Sequence, residues 1–318
     1  MTILRSLTRF PVAAVCAALL IAVQICYPLT ADAARDAVTV TVVLLSAATA
    51  LTHAAATRGP LFAAGYLMIV YGLGLLAEAI GTTTGFPFGC YAYAVDRLGP
   101  ALGGVPLIIA LAWAGGLYPV WIVAGALTAR HGSRIALTAV GAVGWDLYLD
   151  PQMVADGAWR WCSAAPGLPG LADVPVTNYA GWLAVGLGMA IFLDGWDHAV
   201  PRPDDTRTPV FRAATAVPIV VFCWTWLGSA LAHAVFLGLP ASACYGALGM
   251  GVLGVPLLIR LSRDRSTAHH VTAATPGENA RGGTRKYPGR AAGRARPTAR
   301  RPISRPSRGN SDASPGTM

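Results

Sequence analysis

The stretch Ala77-Glu78-Ala79-Ile80-Gly81-Thr82-Thr83-Thr84-Gly85-Phe86-Pro87-Phe88-Gly89-Cys90-Tyr91-Ala92-Tyr93 sets one carboxyl at the end of a long apolar run and then carries no charge before Asp96. The run upstream, roughly residues 61 to 80, has the length that a bilayer core demands of a helix. A loop facing water would be charged, whereas this one is built from glycine, proline, threonine and aromatic residues. Two readings of it stand. It is either an irregular segment tucked against helices and lining a cavity, or an outer turn with interfacial aromatic anchors.

Outward from this point the chain repeats the same apolar theme. Seven further runs lie at roughly 10 to 29, 37 to 56, 104 to 128, 133 to 149, 179 to 196, 213 to 237 and 241 to 261. Of the 318 residues 54% are hydrophobic and 12% charged, about half the charge load of a soluble domain. That balance excludes an ordinary cytosolic enzyme. Strict two-residue alternation, the mark of a membrane β-barrel, is absent. The chain therefore reads as an all-α, polytopic membrane protein of about eight transmembrane helices.

The net charge of +9 resides in one place: residues 262–318 hold twelve of the 24 basic residues and three of the 15 acidic ones. The chain divides accordingly into an integral membrane domain, 1–261, and an Arg/Pro/Gly-rich tail, 262–318, too poor in large apolar residues to fold alone. Disorder is the expectation for the tail. It either attracts anionic lipid at the cytoplasmic face or is a solvated extension, and no nucleic-acid partner is implied, since no folded reading element accompanies the charge. Arg5 and Arg9 followed by an apolar stretch and Ala31-Asp32-Ala33 imitate a cleavable signal peptide. Against cleavage stand an apolar core of nearly twenty residues, long for such a signal, and the second run that follows at once.

Charged groups inside membrane helices are costly and hence candidates for function. Glu78 closes the third run, and Asp146 and Asp150 close the fifth on the same side of the membrane. Four residues apart, these two aspartates share a helix face if the helix continues, but Pro151 disfavours that conformation at Asp150, which then caps a short interfacial helix. Asn178 either caps the sixth helix or hydrogen-bonds a catalytic water. His233 reads as a satisfied interfacial histidine, and Asp194 and Asp197 as interfacial charges on the opposite side. Cys16, Cys26, Cys90, Cys162, Cys223 and Cys244 show no metal-ligand spacing, although Cys90 and Cys162 share the outer segments, where an oxidising compartment permits a bridge. Ala243, Ala247 and Gly251 form a small-residue stripe for helix packing.

These motifs together resemble the membrane-embedded carotenoid biosynthesis proteins that include the bisanhydrobacterioruberin and γ-carotene type hydratases. The resemblance rests on Glu78 with Thr84-Gly85-Phe86-Pro87-Phe88-Gly89 and Tyr91-Ala92-Tyr93, on Leu98-Gly99-Pro100 through Gly104-Val105-Pro106, and on Trp113. It continues in Asp146, Asp150-Pro151, Trp159-Arg160-Trp161, Val174-Pro175, Asn178 and Gly181-Trp182, and covers roughly residues 60 to 200. Asp173, where a small residue is expected before Val-Pro, departs from the pattern.

The resemblance implies hydration of a terminal double bond in a linear polyene. Water adds to a trisubstituted alkene only after protonation gives a tertiary carbocation, so the site must supply an acid, a shelter for the cation and a positioned water. Glu78 is the expected acid and Asp146 the expected base, with Asp150, Asp96 and Asn178 in support. Aromatic faces stabilise a cation by about 0.5 to 2 kcal/mol each, a task for Phe86, Phe88, Tyr91, Tyr93, Trp113, Trp145, Trp161 and Trp182. No metal and no cofactor is expected. Expected partners are the polyene carotenoid, membrane lipids and other carotenoid biosynthesis enzymes. Three alternatives remain open at this point: a cyclase, which also begins by protonating a terminal bond; a prenyltransferase, suggested by Asp146-x-x-x-Asp150; and a non-catalytic carrier or assembly partner.

With both termini cytoplasmic in the cell membrane, 21 of the 24 basic residues fall inside and only Arg35, Arg97 and Arg160 outside. A reporter fused after Gly238 is expected to behave as extracytoplasmic and one after Arg265 as cytoplasmic; the reverse result for both overturns the orientation.

Overall fold

The computed structural model describes residues 11–162, 166–201 and 215–273, with side chains as far as 263. Arg5, Arg9, Arg202, Arg207, Arg212 and the tail after 273 lie outside the described residues. Within them the chain forms eight long helices: α1 (Pro11–Cys26), α2 (Asp32–Arg58), α3 (Pro60–Thr84), α4 (Leu107–Leu127), α5 (His131–Ala155), α6 (Val176–Ala199), α7 (Ala216–Leu231) and α8 (Pro240–Ala273). Seven are long and apolar enough to cross a membrane, α7 counted with its π-helical continuation Ala232–Phe236. The eighth, α5, is diluted by Arg134, Asp146 and Asp150, yet its 25 residues reach about 37 Å at 1.5 Å per residue. The protein is thus an all-α, polytopic membrane protein.

Helix boundaries follow local chemistry. Pro60 opens α3 at a position where its missing N–H costs nothing. At the other end α3 extends one turn beyond Ile80, the end expected from the apolar run. Thr82, Thr83 and Thr84 return their hydroxyls to the carbonyls of Glu78, Ala79 and Ile80, and Gly85 closes the helix in the left-handed region, φ 74°. Glu78 therefore sits more than a turn inside the helix and is only 2% exposed.

Pro151 was expected to end α5, but the helix runs through it to Ala155. A proline in a helix interior deprives the carbonyl four residues back of its donor, here that of Leu147. Ser242 of α8, fully buried, donates its hydroxyl to that carbonyl at 2.7 Å, and the α5–α8 packing that brings it there is close. A Cβ on Gly144 would come within 2.6 Å of the Gly249 and Met250 backbone. The small-residue contact of α8 is thus intramolecular and centred on Gly249. Of the expected stripe, Ala243 is buried, the Ala247 carbonyl accepts from the Trp226 indole at 2.9 Å, and Gly251 faces that same ring.

The most buried helix is α4, twelve of whose 21 residues are buried, against three of 16 in α1. One core gathers α2, α3, α4 and α6, including Tyr66, Trp113, Tyr118 and Trp121; another joins α4 and α5 to α7 and α8 through Val120, Tyr148, Phe222 and Leu253. Helix α1 contributes its own cluster, Ala13, Ala17 and Leu20 against Val217 and Val221 of α7. At one end, the segments following α3 and α5 fold over the bundle as a lid. Strands β1 (Tyr91–Tyr93) and β4 (Trp159–Trp161) pair antiparallel within it, Tyr91 opposite Trp161 and Tyr93 opposite Trp159. Two further short hairpins flank this pair, β2 (Ala101–Leu102) with β3 (Val105–Pro106) and β5 (Gly167–Leu168) with β6 (Leu171–Pro175).

At the opposite end Asp197, expected as an interfacial charge, is 3% exposed and ion-paired to Arg58 of α2 and Arg134 of α5, the latter at 2.8 Å. A carboxylate this deep is retained only with such partners. His233 is buried too: Nδ1 lies 2.9 Å from Ser242 Oγ and Nε2 3.1 Å from Gln152 Oε1. Helix α8 runs twelve residues into the expected tail, through Ala273, because neither glycine nor proline occurs between Pro256 and Pro276.

Ser242→Ala leaves the Leu147 carbonyl buried without a donor, so we expect a loss of about 1–3 kcal/mol, read as a lower unfolding temperature in detergent; Ser242→Thr, which keeps the hydroxyl, should recover part of it.

Candidate active site

Four helices, α3, α4, α5 and α6, meet beneath the lid and its β1–β4 pair. The lid is anchored by Phe88, whose fully buried ring is slotted between two glycines. A Cβ on Gly81 of α3 or on Gly181 of α6 would come within 2.6–2.8 Å of that ring. The Trp161 indole donates to the Phe88 carbonyl at 2.9 Å, and a disulfide joins Cys90 to Cys162, Cα atoms 5.3 Å apart. The lid is tied to the bundle by charge as well: Arg97 spans Asp36 of α2 and Asp156 at the end of α5, and Arg35 reaches Asp156 at 2.9 Å.

This anchoring brings Tyr91 and Tyr93 down on Glu78. Both hydroxyls donate to the same carboxyl oxygen, Oε2, at 2.5 and 2.7 Å. Burial, and after it the nearby Glu78 carboxyl, pushes both phenols well above the ordinary tyrosine range, so both remain donors. Across from Glu78, Asp146 and Asp150 project from one face of α5, as their spacing requires. The Asn178 amide joins them, donating to Asp150 and, at 3.4 Å, to Asp146. All three side chains are buried.

Between the carboxyls lies a cavity of about 20 Å³, lined by Glu78, Tyr91, Tyr93, Ile109, Trp113, Asp146, Leu149, Asp150, Trp159, Trp161, Asn178 and Trp182. That is room for one water molecule. Indoles form its apolar walls: Trp113 stacks on Trp182 with centroids 4.1 Å apart, and Trp161 lies 5.7 Å from Tyr91.

Residues 38–255 match the family described as Carotenoid biosynthesis protein. The chain belongs to the carotenoid biosynthesis protein family. It is also 33% identical over 138 residues to a bisanhydrobacterioruberin hydratase of Haloarcula japonica, a match that covers 42% of this chain and 44% of that relative. No solved structure matches the chain.

In this carotenoid biosynthesis protein nine of the thirteen residues singled out from sequence line the one cavity: Glu78, Tyr91, Tyr93, Trp113, Asp146, Asp150, Trp161, Asn178 and Trp182. Four do not. Phe86 is 74% exposed and points away from the site, and Asp96 is exposed in the lid. Phe88 stands behind the wall, 4.7 Å from Trp182, while Trp145 stands on the far side of Trp113, ring centroids 5.2 Å apart. Asp150 caps no helix, since α5 continues past it. Asn178 is not the cap of α6 either, a helix that opens at Pro175 without a side-chain cap; its amide is committed to the aspartates. Sequence reasoning missed Ile109, Leu149 and Trp159 as lining residues, as well as Tyr179 beside Asn178, whose buried hydroxyl lacks a hydrogen-bond partner among the described residues. Leu149 and Tyr179 adjoin Asp150 and Asn178 in sequence, but neighbours on a helix point about 100° apart, so adjacency alone did not mark them.

At the other end, across the bundle, His131, Asp194 and His198 bring one ligand atom each within 4.8 Å of one another. Asp194 accordingly cannot share an ion with Asp146 and Asp150, which lie near the opposite end of the helices that frame it.

A Cys90→Ser, Cys162→Ser double variant should lose the linked-peptide mass and, with the lid held by hydrogen bonds and ion pairs alone, about 2–5 kcal/mol of stability; free labelling of both thiols in the unreduced wild-type protein contradicts the bridge.

Proposed function

We propose that this protein hydrates a terminal carbon–carbon double bond of a linear carotenoid. The observation that carries the reading is a carboxyl with two phenol donors on one oxygen, facing a paired-aspartate cluster across a cavity sized for one water. With Tyr91 and Tyr93 both on Oε2, Oε1 of Glu78 is left to carry the transferable proton. The phenols then stabilise the carboxylate that remains when that proton leaves, which is help delivered where charge develops.

The Glu78 proton forms a C–H bond at the less substituted alkene carbon, the π pair is consumed, and a tertiary carbocation remains beside the indoles of Trp113, Trp161 and Trp182. Water held near Asp146 attacks that carbon through its oxygen, and its released proton goes to the aspartate pair. Return of one proton to Glu78 resets the site, so the net reaction is alkene plus water to tertiary alcohol. No cofactor or metal takes part in this scheme. The related hydratase of Haloarcula japonica supports it at the level of family chemistry. The same reading puts the lid outside the cytoplasm, supported by its disulfide and by the placement of Arg58 and Arg134 at the opposite end.

The test is expression in a host that accumulates an acyclic carotenoid, with pigment masses read out: a gain of one water per reacted end is expected. Glu78→Gln keeps size and hydrogen bonding but has no proton to give, so product should fall about 10²- to 10⁴-fold with the protein still folded in the membrane. Asp146→Asn should slow hydration and divert the cation to eliminated or cyclised products. Near-normal turnover in Glu78→Gln refutes the acid assignment, and cyclised pigment from the wild-type protein makes it a cyclase.

A further inference from the structure

A second and much larger cavity, of about 550 Å³, lies on the other side of α5, among α1, α2, α4, α5 and α7. We propose that it is the berth for the polyene chain of the substrate, whose end reaches the carboxyls past Leu149 and Trp145. This inference rests on the hydratase reading and adds where the rest of the substrate lies.

The cavity between the carboxyls cannot hold both reactants. At about 20 Å³ it has room for water and none for a branched alkene end, so the alkene enters by displacing part of the wall. The larger cavity is of the size usual for small-molecule sites, about 300–1,000 Å³. Leu149 lines both spaces. Trp145 lines the larger one and meets Trp113, a wall of the smaller, edge to face. Helix geometry explains the shared partition: Asp146 and Asp150 look into the reaction cavity, while Trp145 and Leu149, each one residue earlier and so about 100° round α5, form its boundary with the berth. The Trp145 ring can approach α4 closely because position 116 is glycine; a Cβ there would come within 2.6 Å of the ring.

The shape suits a flat, apolar chain entering from the bilayer. Ile25, Leu29, Leu231 and Phe236 at one end of the cavity are all more than half exposed, an apolar rim where α1 and α7 face lipid. Away from that rim the two helices close on each other: the Trp224 indole donates to Gln24 Oε1 at 2.9 Å, and Ala13, Ala17 and Leu20 pack on Val217 and Val221. A chain entering at the rim is thereby directed toward α5. Aromatic rings along the cavity, those of Tyr148 and Trp224 with Trp145, offer faces to a conjugated chain that a saturated acyl chain would not use.

The experiment fills the berth at positions away from the carboxyls. Val43→Trp and Ser229→Phe, each on a different wall, are made singly in the full chain, in nanodiscs of phosphatidylcholine, with folding checked by thermal unfolding; either folded variant suffices. Binding of an acyclic carotenoid is followed by the circular dichroism induced in its visible band in the Glu78→Gln protein, where no turnover intervenes. Filling should abolish that signal, and in the active protein should raise KM for the carotenoid about ten-fold or more. Turnover of a short acyclic isoprenoid with the same end group, which needs less of the berth, should fall by a smaller factor. An unaltered induced signal and unaltered KM in a folded, filled variant overturn the berth, as does a signal in the unfilled protein that brominated phosphatidylcholine acyl chains displace while turnover continues, which marks a lipid site. If the wild-type protein hydrates neither substrate, the hydratase reading fails, and the induced signal still decides whether the polyene binds there.

Discussion

The two hydrogen bonds from Tyr91 and Tyr93 to a single oxygen of Glu78 are the constraint on which the rest of the molecule turns. A carboxyl placed inside an apolar helix needs polar partners, and α3 itself supplies none, its threonines being occupied with their own backbone. The partners arrive from a loop, and a loop can hold two phenols in place only if it is itself fixed. Phe88 in its glycine slot, the Cys90–Cys162 bridge, the β1–β4 pairing and the Arg97–Asp156 tie all do that one job from different directions. The lid and the site are for this reason a single construction.

Helix α5 makes the second half of that construction. It carries its aspartates on one face and bulky apolar groups on the next, so one helix separates a small chamber lined by carboxyls from a larger, mostly apolar one. To do so it must continue through Pro151, and the carbonyl that proline strands is satisfied by Ser242 from α8. The close approach of α5 and α8 at Gly144 and Gly249 is what makes that donor reachable. A packing detail remote from the chemistry thereby fixes the helix phase on which Asp146, Asp150 and Leu149 all depend.

The opposite end of the bundle solves a related problem with charge. Asp197 lies buried between Arg58 and Arg134, cross-linking α6 to α2 and α5. Removing either arginine would leave a buried carboxylate short of a partner, a costly state. The two ends thus use different means, neutral donors around Glu78 and full ion pairs around Asp197. Only the first leaves a carboxyl oxygen available to carry a proton.

Composition and the long apolar runs determined the class of the fold, because a bilayer accepts few backbone solutions and a helix of the right length is one of them. Placement of the carboxyls at one end was equally legible, since Glu78 and Asp146 close runs that point the same way, and seven of the residues picked out beside them share one cavity with them. Local rules misled where a distant group intervened. Pro151 ends a helix by itself but not when Ser242 caps its orphaned carbonyl, and Asn178 is a natural cap until two aspartates from α5 claim its amide. Asp197 reads as an interfacial charge until two arginines from other helices enclose it. Phe86 and Phe88 look equivalent in sequence, yet one faces outward and the other fills the slot between Gly81 and Gly181, a distinction made only by the path of the lid. The large cavity has no sequence signal at all, because empty space is a property of how five helices diverge and not of any residue that lines it.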